Sequence, residues 1–374
     1  MRAIESPKGE SVNQARVYCG ENPSERRKWR EIRQRFSVRR PHDDPAYLDL
    51  MSPRDARARM FYYAGDGFRV MYPFHLCALD PGIVGSEFGG HSIVVSPYGY
   101  GGPLLEADDD RTDPGAITTE WQAVWHAWMH ENRVVSEFVR EDLHAARLLA
   151  RSDGDRVLAQ QNVIVDLSLD SEARWRSYSA KVRKNVKRAR ENGLSVEFAL
   201  DENALLAFSD IYCDTMDRRQ ASDTFYLDGD ALRAYVDETR PLKEAIIASV
   251  VHDTGVVSTE LVLLGSHEAY SFLGGTRAEA FPMRPNDLLK HEVCEWGHVE
   301  GIGGYVLGGG LEPDDGIFRY KLAFAPYGVA DFYTRRVVAD VSVYDAIMAY
   351  RVAAARSDGG TWSPRPGYFP EFLG

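Results

Sequence analysis

The chain has 374 residues, of which 44% are hydrophobic and 27% charged; it can bury a large core, and its length exceeds one ordinary domain, so two domains are expected. A formal net charge of -12 argues against a protein that coats itself with nucleic acid, because nonspecific backbone binding needs a basic face. No window approaches the ~18 uninterrupted apolar residues of a membrane span, and the opening MRAIESPKGESVNQARVY has no signal-like apolar stretch, which predicts a cytoplasmic chain.

In chain order, ERRKWREIRQRF spaces Trp29, Ile32 and Phe36 at helical intervals and reads as a short amphipathic helix with a basic outer face. The run from Met60 to Leu79 is largely aromatic and apolar, broken once by Gly65-Asp66-Gly67, and predicts a hairpin. A strand over Ser92 to Val95 then enters the loop Pro97-Tyr98-Gly99-Tyr100-Gly101-Gly102-Pro103. Its glycines let backbone approach a ligand, and Tyr98 and Tyr100 supply flat faces and hydroxyls, although a plain tight turn accounts for the pattern as well. After the acidic stretch EADDDRTDPG, the segment Ile117 to Glu131 places Trp121, Val124, Trp125 and Trp128 on one helical face, a core pattern rather than a cofactor box. VVSEFVRE and RVLAQQNVIVDLSL read as strands, with a domain boundary near Gly154.

Ser171 to Glu191 reads as one helix: Trp175, Tyr178, Val182, Val186 and Ala189 recur at three- and four-residue steps, and Asn192-Gly193 ends it. Its other positions carry Lys181, Arg183, Lys184, Lys187, Arg188 and Arg190. Between Arg174 and Arg190 there are eight basic residues and no acid, and between Arg26 and Arg40 eight with one acid, Glu31. A merely solvated face alternates its signs, so the later segment points to an anionic ligand. Beyond it come the strand LSVEFAL, helices from Glu202 to Asp217 and over LDGDALRAYVDET, the strands AIIASVV, VVSTELVLLG and AYSFLGGT, the helix NDLLKHEVCEWGHVEG and the strand YVLGGG. This order matches an acetyltransferase-like α/β layout, a central sheet covered by helices. DVSVYDAIMAYRVAAA closes the chain as another helix before an aromatic, Pro-rich tail.

Several chemistries lack their spacing. GxSxG, HExxH, GxxxxGK[ST] and GxGxxG do not occur. Cys19, Cys77, Cys213 and Cys294 lie far apart without a CxxC pair, and His126 with His130, near Glu131, has no third ligand at a metal-like interval, so no metal or disulfide is expected. What remains is Tyr270 to Gly328. There Gly274, Gly275, Thr276 and Arg277 end one strand, Gly308 to Gly310 end another, and Asp315-Gly316 leads into Phe318-Arg319-Tyr320-Lys321. Strand ends carry ligands in open α/β sheets. Arg277, Arg319 and Lys321 are candidates to clamp phosphates, with salt bridges to Asp314 or Asp315 as the alternative, and Lys321 to steady an oxyanion.

Three of these segments resemble Fem-type (FemABX) aminoacyltransferases: VDLSLDSEARWRSYSAKVRKNVKRARENGLSVEF, YVLGGGLEPDDGIFRYKLAFAPYG and SPYGYGGPL. The resemblance spans roughly residues 45 to 350 and implies an α/β (α+β) fold of two tandem GNAT-like domains, each a mixed sheet flanked by helices; the long coiled-coil arm of some family members has no counterpart in this sequence. The first would cover 1–154, with 340–374 returning to it, and the second 155–339. It further implies a monomeric enzyme with no permanently bound cofactor, for which aminoacyl-tRNA is the co-substrate. The resemblance implies that the amino acid passes to an amine-like acceptor, a cell-wall precursor or a natural-product intermediate, which is a small-molecule or nucleotide-linked compound. Tyr320 and Lys321 are the matching aromatic-Lys pair, for positioning and for oxyanion or phosphate stabilisation. Glu260, a carboxylate on the apolar strand VVSTELVLL, is the candidate base, or else a structural glutamate. Arg183, Lys184 and Lys187 would hold RNA phosphates. An acyl-CoA N-acyltransferase is the main alternative. Its pyrophosphate loop is approached only by Arg190-Glu-Asn-Gly-Leu-Ser195, at a helix C-terminus where the dipole opposes an anion. A noncatalytic anion-binding module is a third reading, and would tolerate loss of Lys321.

Overall fold

The computed structural model describes residues 14–53, 55–107, 113–144, 151–222, 226–253, 255–357 and 359–374. Part of the acidic stretch, 108–112, lies outside the described residues, as do residues 1–13 of the opening segment. The chain divides into two compact units: 1–37, 42–159 and 332–374 form the first, and 38–41 with 160–331 the second. The division therefore falls at 159/160, beyond Gly154, and the return to the first unit starts at Phe332.

In the first unit the strands β1 (Gln14–Cys19), β2 (Ala56–Gly65), β3 (Phe68–Ala78), β4 (Ser92–Val95), β5 (Leu104–Ala107) and β6 (Val134–Arg140) accompany the helices α1 (Pro23–Arg33), α2 (Pro45–Leu50), α3 (Pro81–Val84) and α4 (Pro114–Glu131). β2 and β3 form the expected hairpin, Gly65 pairing with Phe68 across Asp66-Gly67. Gly67, at φ 76°, takes the left-handed turn position that a side chain disfavours. The register continues through antiparallel β1·β2 and β3·β4 pairs and a parallel β4·β6 pair, with β5 also on β3. α4 lays Ile117, Trp121, Trp125 and Met129 on Phe61, Tyr72 and Phe74. The indoles of Trp121 and Trp125 are core, as their spacing predicts, and Trp128 packs half-buried against them, with stacked centroids 6.0 and 5.0 Å apart in succession.

The strand β7 (Asp155–Asp166) carries the chain onward, and the second unit adds α5 (Ser171–Ser177), α6 (Ala180–Glu191), β8 (Ser195–Ala199), α7 (Glu202–Arg219), α8 (Gly229–Thr239), β9 (Ala245–His252), β10 (Gly255–Leu264), β11 (Glu268–Thr276), α9 (Pro285–Val299), β12 (Gly304–Gly308) and α10 (Gly316–Leu322). Its strands run β7-β12-β11-β10-β9-β8; only β11·β12 is parallel. Val182, Val186 and Ala189 of α6 and Leu289, Val293 and Cys294 of α9 share one core with Ala248 and Val250 of the sheet. α7 packs closely on β11: a Cβ at Gly275 would sit 2.6 Å from the Ile211 carbonyl oxygen, so only glycine fits there. The chain then returns through β13 (Val329–Val338), antiparallel to β6, and α11 (Val341–Ser357).

The single helix expected from Ser171 to Glu191 is instead two. Tyr178 is extended (ψ 148°), and the Ser179 side chain caps α6 by accepting from Val182 N at 3.3 Å. The break turns the Tyr178 ring edge-on to His291 and Phe324, at centroid distances of 5.9 and 5.5 Å. A continuous helix would not hold that ring in the extended backbone position. Among the described residues no helix is long and apolar enough to cross a membrane.

Candidate active site

The second unit's sheet opens where β11 and β12 part. They are paired only over Glu268↔Gly304, Ala269↔Tyr305 and Tyr270↔Val306, while β11 runs on to Thr276 against β10. Unpaired strand edges present backbone donors and acceptors to a ligand, and the side chains beside this opening are polar and buried. Glu260, on β10, is 3% exposed. Its Oε1 accepts from Lys290 Nζ at 2.6 Å and from Tyr305 OH at 2.8 Å, while Oε2 is buried without a hydrogen-bond partner. Lys290, from α9, also donates to Ser271 Oγ at 2.7 Å. Glu260 is therefore not an isolated carboxylate on an apolar strand: Lys290, thirty positions along the chain, supplies its counter-charge.

The aromatic-Lys pair lies on α10. Asp315 caps this helix by accepting from Phe318 N at 2.7 Å, and its other oxygen accepts from Leu311 N at 2.8 Å, which ties the Gly308–Gly310 turn to the helix start. Lys321 donates to Gly309 O at 2.6 Å. Burial, and then the Lys290 charge, lower the Lys321 ammonium to a pKa of about 8, against the opposing pull of Glu260 and Asp315. Tyr320 packs edge-on to Phe324, centroids 5.5 Å apart, and its buried hydroxyl has no hydrogen-bond partner. Burial pushes this phenol well above its ordinary value, with the charges of Asp287 and Glu260 adding to the shift. Glu260, Tyr320 and Lys321 thus share one electrostatic neighbourhood, through residues whose importance the linear sequence does not advertise: Lys290, Tyr305 and Asp287.

Other sequence-derived candidates are placed differently. Thr276 is held by Thr215 and Ser258, its amide donating to Thr215 Oγ1 at 3.3 Å and its hydroxyl 2.7 Å from Ser258 Oγ. Arg277 pairs with Asp210 of α7. Arg319 is largely exposed and pairs with Asp314 at 3.3 Å. Arg277 and Arg319 thus each answer a carboxylate of the chain, the alternative the sequence left open for Arg319. In the first unit Tyr98 is 48% exposed; its carbonyl accepts from Tyr47 OH at 3.0 Å. Tyr100 sits edge-on to His42 and Phe332, centroids 5.3 and 5.5 Å away, and burial, with the Asp142 charge, pushes its phenol up.

Along α5 and α6 the eight cations divide. Arg174 is fully buried against Glu295 (2.7 Å), Arg176 meets Glu172 (2.8 Å) and Arg190 meets Glu292 (2.7 Å). Arg183 donates to the carbonyls of Arg176 and Tyr178 and so closes the C-terminus of α5. Lys184, Lys187 and Arg188 are exposed and, among the described residues, have no carboxylate partner. With Arg183, and with Glu191 and Asn192 at its far end, they line an open surface groove of about 700 Å³ along α6. Arg190 to Ser195 spans the C-terminal end of α6, capped at Asn192.

Residues 176–322 match the family model of the acetyltransferase (GNAT) domain. The crystal structure of FemX aligns with a TM-score of 0.60 at 11% identity, over 82% of this chain and 95% of FemX. A tandem GNAT protein from the clavulanic acid biosynthesis pathway aligns with a TM-score of 0.41 at 12% identity, over 86% of this chain and 98% of that one. At 11% identity the likeness to FemX is one of fold. Comparison of the sequence with curated proteins finds no match.

Proposed function

We propose that this chain, whose fold is like that of FemX and which matches the GNAT domain over residues 176–322, is an aminoacyltransferase that moves an amino acid from aminoacyl-tRNA to an amine acceptor and so forms an amide. The observation that carries this reading is the cationic groove of α6. Lys184, Lys187 and Arg188 have no internal partner among the described residues, whereas Arg174, Arg176 and Arg190 beside them are matched to acids. Unmatched like charges repel one another, and a polyanion such as an RNA backbone relieves that repulsion.

The chemistry asks little of the protein, because the ester is already activated. Holding the amine near the carbonyl, accepting a proton and stabilising the oxyanion suffice. Lys321 supplies a positive charge beside the opening between β11 and β12. With a pKa of about 8, most of it remains charged at neutral pH, as oxyanion or phosphate stabilisation requires. Tyr320 positions the reacting groups. Glu260 holds Lys290 in place, and that ion pair sets the field around both.

Acyl-CoA-dependent N-acylation is the second reading, favoured by the GNAT family match over residues 176–322. One assay separates the two. The protein is incubated with radiolabelled aminoacyl-tRNAs and a small-molecule extract of the native cell, with and without ribonuclease, and in parallel with labelled acyl-CoAs. Ribonuclease-sensitive label in a small product is expected. Product from acyl-CoA alone, with none from any tRNA, would sink the tRNA reading.

A further inference from the structure

Two buried acids stand near Tyr320, and only one has a cation. Glu260 is neutralised by Lys290 at 2.6 Å. Asp287, in the first turn of α9, is 7% exposed, yet among the described residues it forms no ion pair. Its side-chain partner is Asn185 of α6, whose Nδ2 donates to Oδ1 at 3.1 Å. Lys181 of α6 and Arg284, just before α9, act on it only at longer range, and burial dominates them, so its carboxyl is held above its ordinary value. A position in the first turn of a helix favours an anion, but that benefit is available at an exposed position and gives no reason for burial. On α10, the buried Tyr320 hydroxyl, within the field of Asp287, has no hydrogen-bond partner.

A buried carboxylate without a cation and a buried hydroxyl without a partner are both costly to leave unanswered. One group answers both: a primary ammonium, which brings a positive charge and three donors. Lys290 cannot provide it, since Glu260, Ser271 and Tyr305 already hold its amine.

We propose that Asp287, with Tyr320, is the subsite for the acceptor's attacking amine, and that its carboxylate takes the first proton from that amine. The step rests on the aminoacyl-transfer reading above. The bound ammonium gives one proton to Asp287, and the neutral nitrogen attacks the ester carbonyl carbon. As the ester C–O bond breaks, the nitrogen's second proton passes to the departing ribose oxygen, and Asp287 releases its proton to solvent. Asn185 keeps the carboxylate aimed, so the helix that carries the cationic groove also orients the proton acceptor.

The test uses the full chain and its Asp287→Asn variant, which keeps the shape, with aminoacyl-tRNA as donor and two nucleophiles at neutral pH. Glycinamide is largely an ammonium and needs a proton acceptor; hydroxylamine is largely neutral and does not. The variant is expected to lose about 100-fold in transfer to glycinamide while changing by no more than about threefold with hydroxylamine. Equal loss with both nucleophiles, or no loss with either, overturns the proposal. Should the unsubstituted protein transfer to neither, the aminoacyl reading fails, and the subsite is judged by donor-free NMR titration with glycinamide. Saturable shifts abolished by Asp287→Asn support the ammonium site; identical titrations of the two proteins refute it.

Discussion

At least four of the eight cations between Arg26 and Arg40 meet acids. Arg26 meets Asp49 at 2.6 Å, Lys28 meets Glu31 at 3.4 Å, and Arg30 and Arg33 converge on Asp44 at 2.8 and 3.6 Å, Asp44 and Arg33 being almost wholly buried. Along α6, by contrast, Lys184, Lys187 and Arg188 look outward with no partner among the described residues. The sequence gives both stretches eight cations. What separates them is tertiary: Asp44 and Asp49 lie on or beside α2, which packs against α1, while the acids of α9 reach only Arg174 and Arg190. Density of charge along the sequence therefore does not by itself distinguish a face the fold neutralises from one it leaves unmatched.

The largest effect should come from breaking the matched segment. Asp44→Asn removes the buried carboxylate on which Arg30 and Arg33 converge and is expected to cost about 3–5 kcal/mol in urea unfolding, with tRNA affinity of the folded protein unchanged. Burial alone would raise the Asp44 carboxyl, but Arg30 and Arg33 outweigh it and hold it below the usual range. Its contribution is thus present above the unfolded value near 3.8 and lost as pH falls through the folded one, so the variant should also lose part of the acid-side dependence of stability. Loss of tRNA binding in a folded Asp44→Asn protein would break the contrast.

Next in size, Lys321→Met should lower transfer about 100-fold. Unfolding measurements at neutral pH should show no loss of stability, because an ammonium depressed to about 8 is a cost to the fold. In the unsubstituted protein, activity should decline as pH rises through about 8, where the ammonium is lost, and Lys321→Arg, if active, should move that decline upward. A rate that climbs through the same range would make Lys321 a base instead. The unmatched segment is tested by replacing Lys184, Lys187 and Arg188 together with alanine. The slope of log affinity for tRNA against log salt should flatten by about 2 to 3 units, with stability within about 0.5 kcal/mol of the starting protein. The smallest effect belongs to Lys28→Ala, which removes one exposed pair and should change stability by less than about 0.5 kcal/mol.

Much of the fold was readable because its signals are local. Asp66-Gly67 between apolar runs gives the hairpin, Trp121, Val124, Trp125 and Trp128 give the face of α4, and Asn192-Gly193 gives the end of α6. The break at Tyr178-Ser179 was not, because serine caps a helix only when the residue before it is free to extend, and what extends Tyr178 is the packing of its ring on His291 and Phe324. The candidate site divides the same way. Tyr320 and Lys321 are adjacent and stand out, but the Glu260 to Lys290 pair and the Asn185 to Asp287 contact join residues 30 and 102 positions apart. Neither can be found by spacing along one element, and Arg277 looked available only because Asp210 of α7 was out of view.

The break between α5 and α6 also has a mechanical side. Ser179 N donates to the carbonyl oxygen of Ala323 at 2.8 Å, two residues past Lys321, so the first residue of the cap is fastened to the end of α10. The helix that bears the exposed cations and the helix that bears Lys321 are therefore joined main chain to main chain at their near ends, so a substitution that displaced Ser179 would disturb both.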